Sequence, residues 1–157
     1  MKKILPTLLL ACSAFGVHAA TPATDTFQVT MTIEPTCVVS ANGNVDFGSV
    51  TTDKRDNEAT TTVTVNCSLN TAYTVGLLPS NNDSSGAGAM NGPGGPIAYQ
   101  LRSQPGTSGT TWGDEITKRV SGTGTANDQA LTVHATVPDA NKLPGTYTDT
   151  VTVKVYF

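Results

Sequence analysis

The twelve residues from Thr146 to Phe157 alternate in character almost without interruption, and that alternation constrains the fold more than any other feature of the 157-residue chain. Tyr147, Asp149, Val151, Val153, Val155 and Phe157 fall on one face, and Thr146, Thr148, Thr150, Thr152, Lys154 and Tyr156 on the other. Near the opposite end Phe27, Val29, Met31 and Ile33 share a face against Thr26, Gln28, Thr30 and Thr32. A period of two marks a half-buried β-strand, because successive side chains leave the pleat on opposite sides. Neither stretch gathers its apolar residues into one helical stripe, so a β-protein is expected, with strands at both ends.

The first nineteen residues carry the marks of an export signal. Lys2 and Lys3 supply the positive start, Ile4 to Val17 is mostly apolar, and Val17-His18-Ala19 offers small residues where a signal peptidase cuts. Leu9-Leu10-Ala11-Cys12 leaves a second arrangement open, in which Cys12 is lipidated and becomes the mature first residue. Cleavage after Ala19 leaves 138 residues, room for one domain with a real core. It also leaves seven basic side chains against twelve acidic ones, a net charge near −5. No basic patch points to nucleic acid or to an anionic membrane surface. Beyond the signal, no apolar run is long enough to span a bilayer.

Two cysteines remain, Cys37 and Cys67. In an exported chain a disulfide is the economical arrangement, and two buried thiols are the alternative. Further β-like runs cover Val38 to Ser40, Val45 to Phe47, Ala59 to Cys67, Ala72 to Leu78, Ile97 to Arg102 and Ala130 to Val137. Turn-forming clusters such as Asn42-Gly43, Asp53 to Asn57 and Pro144-Gly145 separate them. Abundant threonine and sparse charge suit exposed faces of antiparallel sheets, and a two-sheet sandwich follows. Ser80 to Pro96, rich in Gly, Asn, Ser and Pro, reads as a long mobile loop.

Little points to catalysis. His134 sits on the polar face of its strand, and the sequence ties no nucleophile to it. Asp114 and Glu115 are neighbours that face opposite ways on an extended chain, so they read as a solvated turn. Gly122-x-Gly124 lacks the strand-to-helix setting of a phosphate loop and reads as a turn. No cofactor and no metal are expected.

Taken in order, Cys37, Phe47-Gly48, Val65-x-Cys67, Tyr73-x-Val75, Tyr99-x-Leu101, Trp112-Gly113, Gly122-x-Gly124 and Pro144-Gly145-x-Tyr147-x-Asp149-x-Val151-x-Val153 resemble the spore coat protein U domain. That family includes subunits of archaic, Csu-type chaperone-usher pili of Gram-negative bacteria. Two positions depart from its pattern: Arg102 stands where an aromatic commonly follows Tyr-x-Leu, and His134 where glycine is common.

The resemblance implies an immunoglobulin-like sandwich that lacks its last strand and is completed by a donor strand from a neighbouring subunit. Residues 1–19 would be the signal, 20–35 the donor extension and 36–157 the sandwich. It implies a periplasmic chaperone that lends a strand, an outer-membrane usher that exchanges it, and identical or related subunits as polymer partners, in a cell-surface fibre serving adhesion and biofilm formation. Phe27, Val29, Met31 and Ile33 would be the donor side chains; the alternative is that Thr26 to Ile33 is the first strand of its own sandwich. Val151, Val153 and Val155, with Tyr156 and Phe157, would form the acceptor and chaperone-facing side, the Phe157 carboxylate serving as an anchor for chaperone basic residues. A tip adhesin or sugar-binding module, and a free-standing secreted or lipid-anchored sandwich, are the competing readings.

Overall fold

In the computed structural model, which describes residues 20–157, the chain is all-β, and a single turn of 3-10 helix, Ile116–Lys118, is the only helix among the described residues. The expected signal segment 1–19, with Cys12, lies outside the described residues. The chain divides into two units, Met1–Thr32 and Ile33–Phe157. In the first, residues 20–32 run without secondary structure and are exposed throughout.

The second unit is a two-sheet sandwich. Its strands are β1 (Cys37–Ala41), β2 (Arg55–Cys67), β3 (Ala72–Pro79), β4 (Ala87–Met90), β5 (Ile97–Arg102), β6 (Val120–Thr123), β7 (Gln129–Asp139) and β8 (Val151–Tyr156). One sheet has the order β1-β2-β7-β5-β4 and the other β6-β3-β8, with antiparallel pairing throughout. Alternation decides which side chains turn inward. Val63, Val65 and Cys67 of β2, Tyr73, Val75 and Leu77 of β3, Ile97, Tyr99 and Leu101 of β5, and Val133, Ala135 and Val137 of β7 are all buried, each at every second position. The expected pairing of Cys37 with Cys67 is present: they stand directly opposite each other on β1 and β2 and form a disulfide.

Trp112 ties the two sheets together. Its backbone N–H donates to the Leu101 carbonyl at 2.9 Å, on the β5 side, and its indole N–H crosses the core to the Val75 carbonyl of β3 at 2.8 Å. The ring is 1% exposed, so its apolar surface and its one polar atom are both satisfied inside.

Several expectations need correction. Ser80 to Pro96 is not one mobile loop, because Ala87–Met90 forms β4 and pairs with β5. Its glycine serves packing: a Cβ at Gly88 would fall 2.0 Å from the Tyr99 ring, so the bare backbone is what lets that ring lie across the strand. Val45 to Phe47 is not a strand, and the chain bends around it at Gly43 (φ 117°) and Gly48 (φ 65°). Arg55 to Asn57, read as turn, belongs to β2, entered through Asp56 at a φ of 52°. Gly122 lies within β6, not in a turn. At the C-terminal end the regular strand begins only at Val151, and residues 146–150 approach it as an irregular segment held by a bridge between Asn91 and Thr148.

Candidate functional site

β8 has a neighbour on one side only. It pairs with β3 from Thr74↔Tyr156 to Pro79↔Val151, and no strand among the described residues covers its other edge. The alternate backbone N–H and C=O groups that point that way therefore have no ladder partner. Along this edge lies a cleft of about 580 Å³. Ala41 at the end of β1 and Gly43 to Phe47 beyond it form one wall, and 146–151 with Val153 the other. Its floor is the core itself: Val63, Leu77, Tyr99, Leu101, Val133 and Ala135. Met90 from β4 and the rings of Phe47 and Tyr147 complete an apolar lining. The cleft is thus a gap in the sandwich at the level of its hydrophobic layer.

Of the expected acceptor residues, Val151 and Val153 line this cleft. Val155 is half-buried and packs against the core cluster without lining the cleft. Tyr156 and Phe157 are 36% and 59% exposed, and neither is a lining residue.

Of the two carboxylates that line the cleft, those of Asp46 and Asp149, the second is bonded to Tyr99 of the floor. Asp149 accepts hydrogen bonds from the Ser80 hydroxyl, from the Tyr99 hydroxyl at 2.6 Å and from the Thr150 N–H at 2.7 Å. Burial by itself raises its carboxyl, but the bonds from Ser80, Tyr99 and the Thr150 and Ala89 backbones outweigh it and hold it below the usual aspartate value. The same burial and the same carboxylate push the Tyr99 hydroxyl above its ordinary value, so it stays a donor. At the same end Tyr147 accepts the Gly94 N–H at 2.9 Å and donates to the Leu143 carbonyl at 2.8 Å, which fixes the wall.

A second polar cluster grips β8 from the outer face of its sheet. Asp114, expected in a solvated turn, has an 11% exposed side chain. It accepts from Lys154 Nζ at 2.7 Å and from the Tyr156 hydroxyl at 2.8 Å, and Arg119 stands 3.4 Å away. The Arg119 guanidinium lies 3.6 Å over the Tyr156 ring. Burial raises the Asp114 carboxyl, yet the Lys154 and Tyr156 hydrogen bonds and the Lys154 and Arg119 charges outweigh it and lower it overall. Two of the three polar residues on the outer face of β8, Lys154 and Tyr156, are thereby clamped to the 112–119 loop. No pattern in the sequence announces this cluster; its members are brought together by the packing of the loop on β3 and β8.

The expected donor residues lie in a different setting. Phe27, Val29, Met31 and Ile33 are 88%, 85%, 81% and 80% exposed, and no residue from 20 to 36 belongs to a strand. Thr26 to Ile33 is therefore not a strand of its own sandwich. Four large apolar side chains this exposed are costly to leave in water.

His134 holds structure together. Its Nδ1 lies 3.0 Å from Glu58, whose carboxylate also receives the Gly106 N–H at 3.2 Å. Among the described residues no group of three His, Cys, Asp or Glu side chains is placed to hold a metal ion.

Comparison with known proteins adds the following. The model of the Spore Coat Protein U domain family matches residues 23–154. Among solved structures, the chain is similar to one of the crystal structure of the CsuC–CsuE chaperone–tip adhesion subunit pre-assembly complex from archaic chaperone-usher Csu pili of Acinetobacter baumannii. That likeness has 26% identity and a TM-score of 0.57 over 80% of this chain and 40% of that one. A chaperone–tip adhesin complex of CFA/I fimbriae biogenesis matches more distantly, at 11% identity and a TM-score of 0.48, over 76% of this chain and 41% of that one. The chain thus spans about 40% of the length of the solved chains it matches. No curated protein matches significantly.

Proposed function

The chain belongs to the Spore Coat Protein U domain family, and from that membership we propose that it is a structural subunit of an archaic chaperone-usher pilus, polymerising by donor-strand exchange. The observation that carries the reading is the cleft beside β8: an apolar gap that reaches the core, with an unpaired strand edge along it. An extended peptide with apolar side chains at alternate positions is the natural complement to such a gap, because its backbone satisfies the edge and its side chains fill the floor. The chain carries such a peptide, Phe27 to Ile33, exposed and outside any strand. Strand addition from one copy to the next then generates a fibre, since each copy has one vacancy and one extension.

The energetics favour a durable link. Burying four large apolar side chains is worth on the order of 6 to 12 kcal/mol before ordering costs, and the main-chain ladder adds to it. The exposed edge needs protection before assembly. A periplasmic chaperone that lends a strand to the cleft meets that need, as the chaperone complex of the similar solved chain suggests. An outer-membrane usher would exchange that strand for the next subunit's extension, delivering the chain through the periplasm to a surface fibre for adhesion and biofilm formation. Residues 1–19 are its signal, 20–35 its donor extension and 36–157 its acceptor sandwich.

The test is electrophoretic. The full chain is expected to run as a ladder of heat-resistant multimers that collapses on strong denaturation. Deleting Thr21 to Ile33 is expected to abolish the ladder while the sandwich stays folded by circular dichroism, and a persistent ladder from the deletion variant overturns the reading.

A further inference from the structure

Resting on the assembly reading above, we propose that Asp25 and Pro35 set the register of the donated strand, one as a charge stop and the other as a backbone stop. An extended segment sliding through a long groove has several registers open to it, and a slip of one residue turns every side chain to the other face. In this extension such a slip would put Thr26, Gln28, Thr30 and Thr32 into the cleft in place of the four apolar residues. A slip of two residues keeps the apolar face inward and is the real competitor.

The cleft-facing series, read in full, is Asp25, Phe27, Val29, Met31, Ile33, Pro35. A two-residue slip one way therefore puts Asp25 into the site of Phe27 and leaves Ile33 outside, and the other way puts Pro35 into the site of Ile33 and leaves Phe27 outside. The lining is hostile to a carboxylate. It contains no Lys, Arg or His, and its two ionisable carboxylates are those of Asp46 and Asp149. Asp46 already accepts the Gly48 N–H at 2.7 Å, and Asp149 is occupied by Ser80, Tyr99 and Thr150. An incoming carboxylate would lose its hydration, find no cation and meet like charge. Proline fails for another reason: it has no N–H to give to an unpaired strand edge. Only one register seats four apolar side chains with neither an acid nor a proline among them.

Cross-linking reads the register directly. Full chains carrying Thr30→Cys as donors would be assembled with acceptors carrying Thr148→Cys, Thr150→Cys or Thr152→Cys, three exposed positions on or beside β8. With the unaltered extension, one acceptor position is expected to dominate the other two by at least about tenfold, because an unpaired buried carboxylate penalises the alternative. Adding Asp25→Val to the donor is expected to bring a second position, two residues away, to within about threefold of the first. Pro35→Val is expected to open the slip in the opposite direction. Polymer that keeps the same single cross-link with Asp25→Val and Pro35→Val overturns the register assignment and leaves the assembly reading standing. Absence of any polymer from the unaltered extension overturns both.

Discussion

Asp114 shows how one side chain can control a strand. Its carboxylate is nearly buried, collects Lys154, Tyr156 and Arg119, and lies close under β3, where a Cβ at Gly76 would come within 2.2 Å of Oδ1. Because its folded-state value is lowered, the stability it contributes is present above about pH 4, the ordinary aspartate value, and is lost as pH falls through the lowered one. Asp149 acts in the same sense and the same window. Replacing Asp114 with Asn is expected to lower the stability of the sandwich at neutral pH by about 2 kcal/mol and to flatten its decline below pH 4. Guanidinium denaturation midpoints followed from pH 7 to pH 2 check both, and an unchanged acid limb would show that Asp114 does not carry it. The sequence reading of Asp114 and Glu115 as a solvated turn missed this, since the partners lie 40 and 42 positions away along the chain.

Among the elements, β4 teaches most about what composition conceals. The stretch from Ser80 to Pro96 has the residues of a disordered linker, yet Ala87–Met90 is a strand. Small side chains there leave room for Tyr99, whose hydroxyl must reach Asp149 at the wall of the cleft. Gly88→Ala is expected to push that ring aside, break the Tyr99–Asp149 bond and destabilise the sandwich by about 2 kcal/mol. Thermal unfolding measures the loss, and an unaltered midpoint would mean that the strand yields instead of the ring. By contrast β2, β3, β5 and β7 were legible within a few residues, because each is long enough for its alternation to stand out and each has a sheet neighbour on both sides. Val45 to Phe47 carries the same alternation without becoming a strand. It lies along the cleft wall, and no strand among the described residues pairs with it.

At the level of the whole molecule, the open edge of β8, the apolar cleft and the exposed face of Phe27 to Ile33 are the three features that the proposed assembly would join. On this reading a sandwich shortened by removal of residues 20–33 should recover stability from a synthetic peptide of residues 21–35. At a hundredfold excess over its dissociation constant the peptide adds about 2.7 kcal/mol, a rise of roughly 10 °C in melting temperature for a domain of this size. The same peptide with Val29→Asp should give no rise, because it carries a charge into the apolar floor; equal shifts from both peptides would count against occupancy of the cleft.

What the sequence determined by itself is local and periodic. The all-β class, the inward faces of the central strands and the alternating apolar face of Phe27 to Ile33 all follow from side chains a few residues apart, while for Cys37 and Cys67 the sequence made a disulfide the economical arrangement and the structure shows it. The tertiary structure alone decided which strand edge stays open, that the gap reaches the core, and that Asp149 lines the cleft while Asp114 holds the outer face of β8. Those outcomes depend on how two sheets close on each other and on contacts between residues dozens of positions apart, and alternation within one strand carries no record of the strand beside it.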